Sequence, residues 1–337
     1  MTDAPLPVYG LGELRTALVR QDMLRVVRDA FIRHASGDVV APAPGQLLFD
    51  QPPGDCHIKF GHFRGGAVFV VKLAMGFYDN PAVGLDTNNG LVAVFDAHTG
   101  KTIALLNDQG WLTSWRTAAS GALAAKAGAP SQVTALGIIG SGHQAEHQAR
   151  WAYDLLGVRQ IFIWGRDLDK AQRLAASLTQ QGYNAQAVSS VAQVFERCNV
   201  VITCTPSAQA IVPASVVKPG THIVALGADS PGKQELDPQI LAMARVIMTD
   251  DRGQCADHGE LGHALRGGWV KEGVDVSVGQ VLAGQVSGRI SDDDVTVADL
   301  TGLAAHDIAI ATLAVELIQS ACLSNPGPTP YNRGLTY

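Results

Sequence analysis

The spacing of apolar residues predicts that the chain begins with an α+β region. Apolar side chains recur at helical intervals between residues 22 and 34, and Asp22 is placed to cap that helix. Short β-prone runs then follow one another from residue 46 to residue 106, with Gly-containing turns between them, which predicts an antiparallel meander. Residues 116–126 are rich in small side chains, so we expect a helix packed closely against another element.

Beyond residue 131 the pattern changes to strands that alternate with helices. Helical patterns cover residues 144–156 and 168–181. Buried-strand runs occupy residues 133–139, 160–164, 200–204, 221–226 and 245–249. Because such alternation is typical of parallel sheets, we expect an α/β fold with a Rossmann-type, doubly wound parallel sheet after the α+β region. We place the division near residue 123.

Composition agrees with a globular protein of two domains. The chain has 337 residues, and 25 basic against 31 acidic residues give a net charge of −6. No block of Lys or Arg is present to follow a phosphate backbone, so we expect no nucleic acid partner. The most apolar stretch, residues 304–323, is interrupted by His306, Asp307 and Glu316, so we expect no membrane contact.

Cysteine usage and the first residues bear on location. The five cysteines are odd in number and widely spaced, which indicates neither a disulfide framework nor a zinc ribbon. The first residues lack a basic stretch followed by an apolar one, so no secretion signal is expected. Both observations predict a cytoplasmic protein.

A glycine-rich motif follows the predicted strand at residues 133–139. Gly140, Gly142 and Ala145 form G-x-G-x-x-A where the next helix opens. Gly140 allows a tight turn, Gly142 allows the backbone to approach a pyrophosphate, and Ala145 allows the helix to pack closely on the strand. The phosphate charge would lie at the helix N-terminus, where free N–H groups favour an anion. The motif therefore predicts a dinucleotide cofactor.

The tip of the next strand bears on the choice of cofactor. NAD-selective sites usually have an acidic residue there for the ribose 2′-hydroxyl, whereas this chain has Gly165 followed by Arg166, with Arg173 further along. A guanidinium can pair with a 2′-phosphate, which favours NADP(H). Asp167 is close enough to keep NAD(H) open.

A second pattern on the same helix is typical of zinc proteins. His143, Glu146 and His147 fit H-x-x-E-H, which places two imidazoles on one helical face. However, His143 belongs to the glycine-rich turn, and no third ligand follows at a recognisable spacing. We therefore expect no metal.

Five segments occur together in an order and spacing that indicate a family. They are residues 69–72, 88–91, 115–120, 140–145 and 227–236. From about residue 22 to residue 318, the chain resembles the ornithine cyclodeaminase/μ-crystallin family. The resemblance implies a substrate and dimerisation domain at residues 1–123, to which residues 310–337 return, and a Rossmann NAD(P)-binding domain at residues 124–309. It also implies a homodimer that acts on a small amino or imino acid.

The resemblance assigns roles to individual residues. Lys72 and Arg116 would bind the substrate carboxylate, Asp229 would be the catalytic acid/base, and Arg116 and Thr87 would also lie by the nicotinamide. The cofactor side would further include Gly142, His143, Gln144, Thr205 and Lys233. These residue types suit hydride transfer, because a guanidinium and an ammonium can hold a carboxylate so that the reacting carbon lies about 3–3.5 Å from the ring. A carboxylate such as Asp229 can move the proton of the nitrogen.

One stretch departs from the family pattern. Members that bind α-amino acids usually carry a P-P-R-like segment whose arginine also holds the carboxylate, but this chain has Pro44-Gly45-Gln46 there. Lys59 also stands where the cyclodeaminase pattern has an acidic residue. A cation at that position should reject a substrate with a distal amine such as ornithine, and would accept a second carboxylate or a carbonyl.

Three functions follow from these expectations. The first is an NAD(P)(H)-dependent imine or ketimine reductase or amino-acid dehydrogenase, in which Lys72 and Arg116 orient the carboxylate and Asp229 relays the proton. The second is a cyclodeaminase-type ammonia lyase that uses NAD(P) catalytically. The third is a binding protein without turnover.

Overall fold

The structure, a computed structural model, describes residues 5–324, with side chains described through residue 321. Residues 325–337 of the predicted C-terminal return lie outside this range. The chain forms two sheets. The strands of the first sheet are β1 (Val8–Gly10), β2 (Val39–Val40), β3 (Gly45–Asp50), β4 (Pro53–Phe63), β5 (Val68–Phe77), β6 (Asn88–Asp96) and β7 (Thr102–Asn107). Those of the second are β8 (Leu136–Ile139), β9 (Ile161–Trp164), β10 (Ala185–Ala187), β11 (Val200–Thr203), β12 (His222–Ala225), β13 (Val246–Thr249), β14 (Val276–Ser277) and β15 (Thr296–Asp299).

The first sheet contains the predicted meander. Its order is β1-β7-β6-β5-β4-β2, with β3 also on β4, and every pair except parallel β1–β7 is antiparallel. Side chains alternate between two faces, so Val70, Val92 and Val94 lie buried on the inner face. The outer face is only partly buried.

The second sheet is wholly parallel, which confirms the predicted fold class. Its order is β10-β9-β8-β11-β12-β15-β13-β14. Along β11, Val200 and Ile202 enter one core while Val201 enters the other, as expected for a parallel sheet covered on both faces. The strand β15 lies between β12 and β13, although the sequence pattern did not predict it; β10 and β14 were missed as well.

Eleven α-helices are found in the described residues. They are α1 (Leu11–Ala17), α2 (Arg20–Ala35), α3 (Trp111–Gly128), α4 (His143–Leu156), α5 (Leu168–Gln180), α6 (Val191–Arg197), α7 (Gln239–Met243), α8 (Arg252–His258), α9 (Glu260–Arg266), α10 (Val278–Leu282) and α11 (Ala304–Ser324). The predicted capping role of Asp22 is wrong. The helix α2 starts two residues earlier, its N-cap is Val19 without a side-chain bond, and Asp22 lies in the first turn.

Two long helices connect the sheets. The small-residue helix α3 is almost entirely buried, and it runs without a break through the predicted boundary at residue 123. A Cβ at its Gly121 would meet Gln148 of α4 at 2.1 Å, which confirms the predicted close packing. The helix α11 packs against α2, β4 and β5. The inner face of the first sheet is thereby brought to the carboxyl ends of the parallel strands, where ligands of α/β proteins usually bind.

The domain limits and the cytoplasmic location stay predictions. Among the described helices, none is long and apolar enough to cross a membrane. Cys56, Cys198, Cys204 and Cys255 are free thiols.

Candidate active site

Two lysines lie side by side on the inner face of the first sheet. Lys59 of β4 and Lys72 of β5 are directly paired across the strands, so both side chains point to the same face. Lys72 is only 3% exposed and its strand neighbours on that face are buried valines. Like charges opposite each other destabilise a sheet, and a buried charge requires a partner. This pair therefore indicates that an anion belongs here.

The carboxylate of Asp307 is one negative partner that the protein itself provides. Its Oδ2 lies 2.9 Å from Lys72 Nζ, and its Oδ1 accepts a hydrogen bond of 3.1 Å from Arg116 Nε. Arg116 comes from α3 and Asp307 from α11, and both are buried. Three elements distant in sequence thus bring two cations and one carboxylate together.

Burial and charge act in opposite directions on these groups. Burial, together with the charges of Arg116 and Lys59 and against the opposing charge of Asp307, lowers the pKa of Lys72 to about 7. Burial alone would raise the pKa of Asp307, but Lys72, Arg116 and Lys59 outweigh it and lower that pKa to about 2. Asp307 is therefore ionised at neutral pH, whereas Lys72 titrates in the physiological range.

Lys59 faces this cluster rather than solvent. Its Nζ donates to the carbonyl oxygen of Gly302 at 2.7 Å. Gly302 has a φ of +89°, and a Cβ there would lie 2.9 Å from Arg116 Nη1 and 3.4 Å from Lys59 Nζ. Only glycine fits between the two cations. Burial, and then the charge of Arg116, lowers the pKa of Lys59.

Asp229 lies in the loop that follows β12. Its Oδ1 accepts a hydrogen bond of 2.7 Å from Lys233 Nζ, and 51% of its side chain is exposed. Burial of its surroundings acts to raise the pKa of Asp229, but Lys233, then Lys59 and His57, outweigh it and lower the pKa below its usual range. Lys233 had been assigned to the cofactor side, and in the structure its ammonium is bound to this carboxylate. Asp229 is thus an ionised carboxylate with access to solvent.

The glycine-rich turn has the geometry that a pyrophosphate requires. Gly140 has a φ of +134°, and a Cβ there would meet Cys204 at 2.9 Å. In front of Gly142 the space is open for at least 4 Å, and α4 begins without a side-chain cap. Its first backbone N–H groups can therefore bind an anion. Ala145 is fully buried against the sheet, as its predicted packing role requires.

The tip of β9 has no room for an acidic side chain. A Cβ at Gly165 would lie 2.5 Å from Ser141 Oγ of the glycine-rich turn. Asp167 caps α5 by accepting from the backbone N–H of Lys170 at 3.1 Å through one of its carboxylate oxygens. Arg166 is exposed beside them. The choice between NADP(H) and NAD(H) stays a prediction.

A buried glutamate, Glu235, connects the loop after β11 with the loop after β12 through hydrogen bonds. Glu235 accepts hydrogen bonds from Thr203 Oγ1, from the N–H and hydroxyl of Thr205, and from the N–H of Gly227, at 2.6–2.8 Å. Burial raises the pKa of Glu235, and these donors offset part of the rise. The predicted cofactor residue Thr205 therefore has both its donors bound to protein.

Three other predicted residues have contacts of their own with the protein. His143 Nε2 lies 3.0 Å from Ser114 Oγ, and Gln144 Nε2 donates to the Ser114 carbonyl at 3.5 Å, so both side chains connect the turn to α3. Thr87 is partly buried before β6, where its carbonyl accepts from the N–H of Phe77. Their contacts with a cofactor stay predictions, as do the roles of the other site residues.

Sequence reasoning missed Asp307, Glu235 and Gly302. A signal existed for Asp307, because a charged residue in the most apolar stretch of the chain needs a buried partner. Glu235 and Gly302 acquire their roles only through contacts with residues far away in the sequence.

A parallel sheet, an open glycine turn and a polar cluster at the carboxyl ends of the strands place the chain among dinucleotide-binding α/β proteins. The family model for the ornithine cyclodeaminase/μ-crystallin family matches residues 12–321. The chain belongs to that family.

Individual relatives agree with this assignment. An uncharacterised cyclodeaminase from Sinorhizobium fredii is 36% identical, covering 90% of this chain and 93% of its own. A solved archaeal alanine dehydrogenase dimer with bound NAD is 30% identical with a TM-score of 0.86, covering 94% and 97% of the two chains. The iminosuccinate reductase of Paracoccus denitrificans, solved in complex with NAD+, is 28% identical with a TM-score of 0.85 and the same coverage.

These matches confirm three predictions made from the sequence: the family, the fold class, and the class of function, an NAD(P)-dependent oxidoreductase of amino or imino acids.

Proposed function

We propose that the protein reduces the C=N bond of a small α-imino acid with NAD(P)H, and that Lys72, Arg116 and Asp229 carry the reaction. The cluster of Lys72, Arg116 and Asp307 is the main support. It places an ammonium and a guanidinium at the carboxyl ends of the parallel strands, the side of the sheet where the glycine-rich turn also lies.

The carboxylate of the substrate would bind between Lys72 and Arg116. Arg116 uses Nε for Asp307, so its Nη1 and Nη2, which lie near Gly302, can donate to a ligand. Lys72 uses one of three donors for Asp307. A bidentate guanidinium with an ammonium fixes the orientation of a carboxylate and thereby the position of the adjacent carbon.

The nitrogen of the substrate would bind at Asp229. A bound reduced nicotinamide supplies the hydride that adds to the imine carbon. An ionised Asp229 holds the N–H groups of a protonated imine, which is the form that accepts hydride most readily. The resulting amine then takes up one proton. Asp229 can relay that proton from water because half of its side chain is exposed.

Lys59 argues against diamino acids as substrates. Its ammonium lies at Gly302 beside Arg116, so a second amine of the substrate that approached this end of the site would meet two like charges. This observation favours an imine reductase over an ornithine cyclodeaminase. A substrate whose far end is apolar, a carbonyl or a carboxylate fits the charge of Lys59.

A screen of imino acids tests the proposal. The purified protein is mixed with NADPH or NADH and with Δ1-pyrroline-2-carboxylate or the imines of pyruvate and oxaloacetate. We expect stoichiometric oxidation of the cofactor, followed by absorbance, and no ammonia from ornithine. Ammonia release without net cofactor change would establish a cyclodeaminase instead. Cofactor binding without any reaction would establish a binding protein.

We also propose that the protein is a homodimer paired through the outer face of the first sheet. Apolar side chains cover that face and are only partly buried: Phe69, Val71, Leu73, Leu91, Phe95 and Leu105. At its β4 side Leu47, Phe49 and Phe60 are 55%, 42% and 39% exposed. An apolar patch of this extent usually marks an interface. Light scattering should give twice the mass of the chain, and a monomer would contradict the proposal.

A further inference from the structure

Asp307 touches both cations that the proposed function assigns to the substrate carboxylate. Each of its oxygens has its own cation, at 2.9 Å for Lys72 and 3.1 Å for Arg116, and the residue is 3% exposed. Its neighbours along α11, including Ile308 and Ile310, are buried apolar residues. An ionised carboxylate in such surroundings is stable only while both partners remain in place.

We propose that Asp307 is a positioning residue that holds Lys72 and Arg116 in the geometry that binds the substrate carboxylate, an inference that rests on the proposed function. Asp307 engages the Nε edge of Arg116 and so directs Nη1 and Nη2 towards Gly302. It engages Lys72 from the α11 side. Without this anchor, two like charges would repel each other across the site.

Asp307 also governs the charge of Lys72. The charged groups that face Lys72 are Lys59 from β4, Arg116 from α3, Asp108 from the turn before α3, and Asp307 from α11. Burial lowers the pKa of Lys72 to about 7, and Asp307 acts against that shift. Removing the charge of Asp307 therefore lowers the pKa of Lys72 further, and the amine becomes neutral at the pH where it is needed.

The test measures binding of pyrrole-2-carboxylate, a planar carboxylate that cannot be reduced in this way, by calorimetry from about pH 6 to about pH 9. For Asp307→Asn we expect affinity to fall about 30-fold at neutral pH, with partial recovery at the acidic end. The pH at which binding is half lost should move down by about one unit. Glu316→Gln removes an exposed carboxylate from the same helix and should leave that pH unchanged.

A second variant keeps the inference testable if Asp307→Asn does not fold. Asp307→Glu retains the charge but moves it, so we expect about tenfold weaker binding with the same pH of half-loss. Wild-type affinity in Asp307→Glu would overturn the inference, as would an equal loss at every pH in Asp307→Asn. Failure of the proposed function is distinct, because the wild type would then bind the probe but reduce no imino acid. A wild type that does not bind the probe overturns both.

Discussion

The cofactor half and the amino-acid half of the proposed site use different kinds of binding groups. On the cofactor side, the groups that can bind are backbone N–H donors of the turn around Gly142 at the start of α4, and the space before them is open. On the proposed amino-acid side, the groups are charged side chains, with Lys72, Arg116 and Asp307 packed into a largely apolar interior.

This difference has consequences for how each half responds to change. Backbone donors carry no titratable proton, so the affinity of the turn for a phosphate depends on its shape and little on pH. Buried side-chain charges depend on one another, so the loss of one partner alters the protonation and position of the rest. We therefore expect the cofactor half to lose affinity when a side chain obstructs the turn. The amino-acid half should lose affinity when one of its charges is removed.

The largest effect is expected for Asp229→Asn. An amide cannot take up and release the proton of the nitrogen, so turnover should fall roughly 1,000-fold. The affinity for NADPH, measured by fluorescence quenching, should stay within about twofold because the glycine-rich turn is untouched.

A matched control is Asp257→Asn, since that aspartate is exposed and lies in α8. It should have wild-type kinetics. Full turnover in Asp229→Asn would show that Asp229 takes no part in the reaction.

The next effect concerns the cofactor half alone. Gly142→Asp places a side chain in the open space where the pyrophosphate would lie, and the dissociation constant of NADPH should rise about 100-fold because that side chain obstructs the pyrophosphate and also repels its charge. Binding of pyrrole-2-carboxylate should be unaffected. Gly12→Asp, also at a glycine with open space around it, is the control for the added charge. Equal affinity for NADPH in both variants would show that the cofactor does not bind at the glycine-rich turn.

The same contrast explains what could be predicted from the sequence. The turn is local: Gly140, Gly142 and Ala145 lie within six residues, and a strand and a helix flank them. Local order of this kind leaves a direct trace in the pattern, and the predicted strands β8, β9, β11, β12 and β13 were found within a few residues of their observed bounds. The strand β15 was missed because its four residues include Thr296 and Asp299, and it follows a polar loop.

The cluster of Lys72, Arg116 and Asp307 is harder to predict from the sequence pattern. Lys72 and Arg116 were predicted through short family motifs, but both contact Asp307, which is 191 residues further along than Arg116. No local pattern states that β4 and β5 will align Lys59 with Lys72, because register is set by the whole meander. Glu235 likewise gains its role from Thr203, Thr205 and Gly227 converging on one carboxylate.

A pH dependence confined to the amino-acid half is the third prediction. Only the ammonium form of Lys72 attracts a carboxylate, and the pKa of Lys72 lies at about 7, so this attraction is lost as the pH rises above that value. We expect the affinity for pyrrole-2-carboxylate to fall up to tenfold per pH unit above neutrality, until the remaining contacts dominate. Affinity for NADH should be flat over the same range. Binding of the carboxylate that does not change up to about pH 9 would contradict a titrating Lys72.

The smallest effect is expected at the edge of the cofactor half, where one side chain supplements the backbone. Gly165 has no room for a side chain and Asp167 uses one carboxylate oxygen to cap α5, while Arg166 lies exposed between them in sequence. Arg166→Ala should therefore weaken NADPH roughly fivefold to tenfold and leave NADH unchanged, because an exposed guanidinium adds only a modest contact with the 2′-phosphate. Arg159→Ala, at an exposed arginine before the opposite end of β9, is the control. If the ratio of the two affinities is the same in Arg166→Ala as in the wild type, then Arg166 does not read the 2′-phosphate, and the cofactor half binds through its backbone alone.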